Sequence, residues 1–83
     1  MPCVDRGLEP FRIYIYTNDH RPSHVHVIGP GMEAVFTLNS PSGPIELRES
    51  LGFKAKTLTI IRDYILQSLG KFCAAWSEIH GAY

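Results

Sequence analysis

Three of the four histidines lie within seven residues, in the stretch N-D-H-R-P-S-H-V-H-V. His24 and His26 are two residues apart, so on a β-strand their side chains point to the same face, with Cα atoms about 6.5–7 Å apart. His20 precedes them in a polar, turn-prone segment and can fold over that face. Imidazoles spaced in this way can converge on one ion at about 2.0–2.1 Å. The spacing therefore predicts a Zn²⁺ or Ni²⁺ site that uses His20, His24 and His26.

Two nearby carboxylates belong to the same hypothesis. Asp19 immediately precedes His20, and Glu33 lies on the next predicted strand. Either could complete a ligand set or orient an imidazole ring, as carboxylates commonly do in metal sites.

The same histidines also support an interpretation without a metal. Paired imidazoles that titrate near neutrality can act as general base and general acid, which makes His20, His24 and His26 the candidate catalytic residues. Tyrosine hydroxyls, arginine contacts to a phosphate and a polar turn would complete such a site. The candidate binding residues are Arg12, Tyr14, Tyr16, Asn18, Asp19 and Arg21. In a third interpretation the histidines are solvated residues on the outer face of a sheet and the turn caps its own backbone.

The segments that must position this cluster are typical of an antiparallel sheet. Residues 1–10 carry two prolines and a glycine and predict a loose lead-in. Alternating apolar and polar residues, separated by turn-rich segments, then predict a three- to four-stranded antiparallel β-meander over residues 11–48. The first predicted strand begins at Phe11. The second covers His24 to Ile28, the third about Glu33 to Leu38, and a short fourth strand covers Ile45 to Arg48.

The last third of the chain changes from a period of two to a period of three or four, with an apolar stripe formed by Leu58, Ile61, Ile65, Leu69, Phe72, Trp76 and Ile79. This predicts one long amphipathic helix over residues 54–80, which would extend well beyond a six-residue strand. Gly70 lies inside the apolar stripe and costs about 1 kcal/mol relative to alanine, so we expect a kink or break there. The predicted fold class is α+β: a meander packed on one C-terminal helix, in a single domain over residues 1–83.

Alternation also assigns the two faces of the sheet. The apolar face that the helix covers carries Ile13, Ile15, Val25, Val27, Ala34 and Phe36. The opposite face then carries Arg12, Tyr14, Tyr16, His24, His26, Val35 and Thr37. We expect this second face to be uncovered, and an exposed surface of this kind is either functional or an interface.

Composition restricts the class of partner. Eight basic and eight acidic side chains give a formal net charge of zero, which disfavours dedicated binding to RNA or to a membrane surface. No apolar run approaches the roughly 20 residues of a membrane span. The segment MPCVDRGLEP lacks the apolar stretch of a signal peptide, so we expect a cytoplasmic location. The only two cysteines, Cys3 and Cys73, lie seventy residues apart and do not make a disulfide framework, so we expect reduced thiols.

The stretch from Phe11 to Val27 contains I-Y-x-N-D-H-x-P-x-H-x-H-V. It resembles a family of small bacterial proteins of unknown function that carries an N-D-H-x-P-x-H-x-H signature. Glu33-Ala34 and a C-terminal helix with aromatic residues at Tyr64 and Trp76 are similar as well, so the resemblance covers roughly Phe11 to Ile79. The segment Asn39 to Gly52 departs from it, being richer in Pro, Gly and Ser, and this affects the register of the fourth strand.

The resemblance implies a protein partner rather than a particular chemical activity. Members of the family are often encoded next to another small uncharacterised domain, an arrangement typical of toxin–antitoxin pairs on mobile DNA. The resemblance therefore implies a small protein partner or a homodimer, with an activity on RNA as an alternative. Such an analogy does not by itself establish a function.

Three hypotheses follow. The primary one is a protein-interaction component of a toxin–antitoxin-like gene pair that carries a His-rich surface site, since a small core gains from a partner. The second is a metal-binding domain that uses His20, His24 and His26. The third is a small histidine-dependent ribonuclease-type toxin, which the neutral net charge disfavours.

Overall fold

The computed structural model describes residues 3–83 of the chain. Five strands are followed by two helices: β1 (Cys3–Asp5), β2 (Arg12–Tyr14), β3 (His24–Gly29), β4 (Met32–Thr37), β5 (Glu46–Leu51), α1 (Ala55–Gln67) and α2 (Leu69–His80). The strands form one antiparallel sheet in the order β1-β2-β3-β4-β5. The fold class is α+β, as the sequence predicted, with a sheet of five strands where three or four were expected.

Strand β1 is the additional strand, and it lies inside the segment predicted to be a loose lead-in. Cys3 pairs with Tyr14 and Asp5 with Ile13. The side chain of Asp5 is only 2% exposed. It accepts hydrogen bonds from the Tyr64 hydroxyl at 2.8 Å and from Lys71 Nζ at 2.8 Å. These donors lie in α1 and α2, so the local sequence around Asp5 carries no sign of them.

Strand β5 is longer than predicted and carries a bulge. Val35 pairs with Glu49 and Phe36 with Leu47, so Arg48 is an extra residue without a partner on β4. All six residues of β5 are exposed. A bulge on an edge strand bends it and disturbs the ladder, and a simple alternation pattern cannot reveal that extra residue.

The predicted single helix is two helices that meet at Ser68, two residues before Gly70. Ser68 has φ −114° and ψ 24°, outside helical values. An unbroken helix over residues 54–80 would extend about 40 Å, whereas the longest dimension of the molecule is 32 Å. The break keeps both helices against one core, which contains Ile61, Ile65, Leu69, Phe72, Cys73 and Trp76.

The predicted apolar face of the sheet is confirmed. Its six side chains are at most 1% exposed and pack with the buried residues of both helices. Within residues 3–83, neither helix combines the length and the apolar character that a membrane span requires. The candidate histidines His24 and His26 lie at one end of the sheet, where the β2–β3 ladder stops.

Candidate metal-binding site

The end of the β2–β3 ladder determines where the two histidines lie. Tyr14 and His26 form the last pair of this ladder. His24 opens β3 beyond that pair, where β2 no longer covers it. At this point Trp76 of α2 reaches the His24 ring, with the two ring centroids 5.2 Å apart. The side chain of His24 is therefore 7% exposed, although alternation had assigned it to an uncovered face.

A closed turn after β2 brings Asp19 to the histidines. The Asp19 N–H donates to the carbonyl oxygen of Tyr16 at 3.1 Å. In return, Asp19 Oδ2 accepts the Tyr16 N–H at 2.9 Å. Aspartate suits such a turn because its short carboxylate reaches nearby backbone donors. The two hydrogen bonds fix the direction of the carboxylate.

The fixed carboxylate meets both imidazole rings. Asp19 Oδ1 lies 3.4 Å from His24 Nε2. His26 Nε2 lies 3.2 Å from both carboxylate oxygens and donates a hydrogen bond to them. One ligand atom from each of the three residues lies within 4.8 Å of the other two. The Asp19 side chain is 11% exposed and the His26 side chain 14% exposed. The interpretation of His24 and His26 as solvated outer-face residues is therefore wrong.

The hydrogen bonds of His24 define its tautomer. Its Nδ1 lies 2.8 Å from the carbonyl oxygen of Pro22. A carbonyl oxygen only accepts, so Nδ1 carries the proton and donates it. In the neutral ring Nε2 then presents its lone pair towards Asp19, which is the arrangement that a metal-ligating histidine needs.

His26 has an unsatisfied atom. Its Nδ1 is buried and has no hydrogen-bond partner among the described residues. The Glu33 carboxylate lies next to it, with Oε2 at 3.7 Å. The His26 ring also packs on the Tyr16 ring, with the two ring centroids 4.6 Å apart. Buried polar atoms are almost always paired, so an unpaired one in a cluster of this kind requires an explanation.

The electrostatics favour an ionised aspartate and a neutral tyrosine. Burial opposes ionisation of Asp19, but the Tyr16 N–H and the adjacent His26 and His24 outweigh it and lower the pKa of the Asp19 carboxyl. Burial raises the pKa of the Tyr16 hydroxyl, and the charges of Glu33 and Asp19 raise it further. At neutral pH Asp19 is therefore a carboxylate and Tyr16 keeps its proton.

This geometry suits a small divalent cation. Tetrahedral ligands at 2.0–2.1 Å from one ion are about 3.3 Å from each other. The two distances from the single oxygen Asp19 Oδ1, 3.4 Å to His24 Nε2 and 3.2 Å to His26 Nε2, are close to that value. Three protein ligands would leave a fourth position for water or another molecule, as in catalytic rather than structural zinc sites.

The remaining candidate residues are divided between other positions. His20 is exposed and is not part of the three-residue group. It lines a surface depression with Asp19, Arg21, His80 and Ala82. Asn18 is exposed in the turn. Arg12 and Tyr14 line a separate depression towards the Gly29 end of β3.

Sequence reasoning did not assign His80 to this region. His80 Nε2 donates to the carbonyl oxygen of Tyr16 at 3.0 Å, and its ring packs on Trp76 with centroids 4.2 Å apart. The two residues joined by that hydrogen bond are 64 positions apart in the chain. No local motif links them, and the contact arises only from the packing of α2 on the end of the sheet.

Residues 11–77 match the family model described as "Domain of unknown function (DUF4160)". The match covers most of the chain, so the protein belongs to this family of unknown function. No curated protein and no solved structure matches the chain. Family membership assigns no activity, so the function has to be argued from the site.

Proposed function

We propose that this protein is a metal-binding domain in which Asp19, His24 and His26 hold one divalent transition-metal ion. The observation that carries the proposal is the convergence of one carboxylate and two imidazole nitrogens within 4.8 Å in a largely buried cluster. Compared with the prediction from sequence, Asp19 replaces His20 as the third ligand.

Two details of the rings support an ion at this position. The proton on His24 Nδ1 leaves Nε2 free to coordinate. An ion on His26 Nε2 would require its proton on Nδ1, facing Glu33 at 3.7 Å. That rearrangement would give the unsatisfied Nδ1 a carboxylate acceptor, the arrangement that usually orients a metal-binding histidine.

The ligand types indicate which ions fit. Two imidazoles and one carboxylate suit Zn²⁺, Ni²⁺ and similar borderline ions, whereas Mg²⁺ and Ca²⁺ prefer oxygen ligands alone. We therefore propose Zn²⁺ or Ni²⁺, with an open coordination position.

The histidine-dependent ribonuclease is a weaker proposal. General acid and general base must act on different atoms of a substrate, but His24 Nε2 and His26 Nε2 both face the same carboxylate. The zero net charge also provides little attraction for RNA.

The test is a competition titration of Zn²⁺ against a chromophoric chelator. The wild type should bind one ion per chain. Asp19→Asn and His26→Ala should each lower the Zn²⁺ affinity by more than about 100-fold. This exceeds the 10- to 100-fold loss that is typical when a residue hydrogen-bonded to a metal ligand is replaced. His20→Ala removes an exposed histidine from the same loop and should bind as the wild type does.

Circular dichroism of each variant shows whether it is folded. The proposal fails if the folded wild type takes up no metal. It also fails if His20→Ala loses as much affinity as His26→Ala, because the ligands would then differ from those proposed.

A second candidate function is contact with another small protein, the role expected for one member of a toxin–antitoxin-like pair. It is supported by large apolar side chains on β5 and α1 that remain exposed: Leu47 at 46%, Leu51 at 72% and Ile60 at 52%. Native mass spectrometry of the protein alone and with the product of a neighbouring gene should reveal a heterodimer. A homodimer would identify a second copy as the partner, and a monomer under both conditions would contradict this role.

A further inference from the structure

A surface depression opens beside the proposed metal site. It is lined by Asp19, His20, Arg21, His80 and Ala82. Asp19 belongs to both the depression and the metal-binding group, so a ligand in the depression would lie next to the ion. The open coordination position of a three-ligand site is where such a ligand would bind.

The depression contains a cation without a partner. Arg21 is exposed and forms no ion pair with any residue from 3 to 83. Its guanidinium presents a planar set of N–H donors that matches the oxygens of a phosphate. An arginine next to a metal ion is therefore a natural second contact for an anion bound to that ion.

His80 forms an oriented wall of the same depression. Its Nε2 is used by the carbonyl oxygen of Tyr16, and Trp76 packs against the ring. These contacts hold the imidazole in place and leave Nδ1 without a hydrogen-bond partner in the described part of the chain. With its proton on Nε2, the neutral ring has only a lone pair on Nδ1, so His80 borders the depression as a fixed wall rather than as a hydrogen-bond donor.

We propose that this depression binds the phosphoryl group of a phosphate monoester, with one oxygen on the metal ion and others on the Arg21 guanidinium, beside the fixed ring of His80. The proposal rests on the proposed metal function, because the ion supplies one of the two contacts. It goes beyond that function by naming the class of ligand that occupies the open coordination position.

Charge favours a phosphate monoester over a carboxylate. A divalent ion with one carboxylate and two neutral imidazoles leaves one positive charge, and Arg21 adds another. A phosphate monoester carries about −1.5 to −2 at neutral pH and would nearly neutralise both, whereas a carboxylate would neutralise one. Glu33 lies against the Nδ1 side of His26 and is 53% exposed, so solvent weakens its opposing charge.

The experiment uses calorimetric titration of phenyl phosphate into protein loaded with Co²⁺. The visible absorption of cobalt reports any new ligand on the ion. We expect one binding site per chain, a changed cobalt spectrum, and weaker binding of acetate. Arg21→Gln should lower the affinity by about 10-fold, the equivalent of one charge-assisted hydrogen bond.

Arg48→Gln is the matched control, because it makes the same charge change on exposed β5. It should leave phenyl phosphate binding unchanged. Equal losses in Arg21→Gln and Arg48→Gln would indicate a general charge effect and overturn the proposal. Acetate binding as tight as that of phenyl phosphate would overturn the assignment of a phosphoryl group.

The failure of this proposal can be separated from failure of the metal function. If Co²⁺ binds but phenyl phosphate does not, the anion site is wrong and the metal site stands. If no metal binds, phenyl phosphate is titrated into the metal-free protein. Binding that requires Arg21 would then support an anion site without the ion, and its absence would overturn that site as well.

Discussion

Asp19 connects the backbone of the loop with the chemistry of the cluster. One carboxylate accepts the Tyr16 N–H and also faces both histidines. An aspartate reaches all of these partners because its side chain is short and its turn is closed by a backbone hydrogen bond. Replacing it by asparagine keeps the shape but removes the charge, so Asp19→Asn separates the electrostatic role from the structural one.

At the scale of single residues, we predict that Glu33 contributes to metal affinity by orienting His26. Glu33→Gln should weaken Zn²⁺ binding by about 10-fold. This is the lower end of the loss expected when a residue that orients a metal ligand is replaced, because the Glu33 side chain is half-exposed. The reason is that a carboxylate is a better acceptor than an amide for the N–H of His26 Nδ1. The control is Glu49→Gln, which removes an exposed carboxylate from neighbouring β5. If the chelator competition gives equal affinities for both variants, Glu33 does not orient His26.

The sequence predicted part of this site for physical reasons that can be named. Two-residue spacing placed His24 and His26 on one face, and the structure has their ring centroids 5.2 Å apart. The choice between His20 and Asp19 depends on how the turn closes, because that decides which side chain points back to β3. Closure is set by hydrogen bonds to the Tyr16 backbone, and residue spacing alone does not determine them.

At the scale of elements, one carboxylate joins the first strand to both helices. Asp5 of β1 accepts hydrogen bonds from Tyr64 of α1 and from Lys71 of α2. A three-residue edge strand has few backbone partners of its own. These side-chain contacts therefore account for an ordered strand where the composition predicted a loose segment.

Asp5→Asn should destabilise the fold by about 2 kcal/mol at pH 7, since it weakens hydrogen bonds to a buried charged group. Burial opposes ionisation of Asp5, but hydrogen bonds from Lys71, the Gly7 N–H and Tyr64 outweigh it and lower its pKa below the ordinary 3.8. A carboxyl with a lowered pKa stabilises the fold above its unfolded pKa, and that stability is lost as the pH falls through the folded value.

Denaturant unfolding measured from pH 7 down to pH 3 tests this expectation. The difference in unfolding free energy between wild type and Asp5→Asn should shrink below about pH 3.8. Asp63→Asn removes an exposed carboxylate whose one ion pair within residues 3–83 is with exposed Arg62, and should change stability by less than about 0.5 kcal/mol. A difference between wild type and Asp5→Asn that does not change with pH would exclude the charged hydrogen bonds as its source.

The helices show which features the hydrophobic periodicity predicts and which it does not. The apolar stripe correctly identified the buried residues from Ile61 to Trp76. The stripe itself carries no sign of the break at Ser68, because it continues in phase across it, but Gly70 indicated a break within two residues of that position. The break lets both helices pack on one core in a molecule whose longest dimension is 32 Å.

At the scale of the whole molecule, the end of α2 is joined to the loops around the site. His80 bonds the Tyr16 carbonyl, the Ser23 N–H donates to the carbonyl of Tyr83, and Trp76 Nε1 donates to the carbonyl of Ala82. The site is therefore formed jointly by the first half of the sheet and the last turn of the second helix. Contacts over such sequence distances explain why the fold class could be predicted while the composition of the depression could not.

The most direct measurement of the central claim is a crystal structure of the Zn²⁺-loaded protein with anomalous scattering at the zinc edge. We expect one anomalous peak per chain, about 2.0–2.2 Å from His24 Nε2, His26 Nε2 and one oxygen of Asp19. We also expect His26 Nδ1 within hydrogen-bonding distance of Glu33. A peak on the exposed His20 or on His80, or a Zn²⁺-soaked crystal with no peak between Asp19 and the two histidines, would show that these three residues are not the metal ligands.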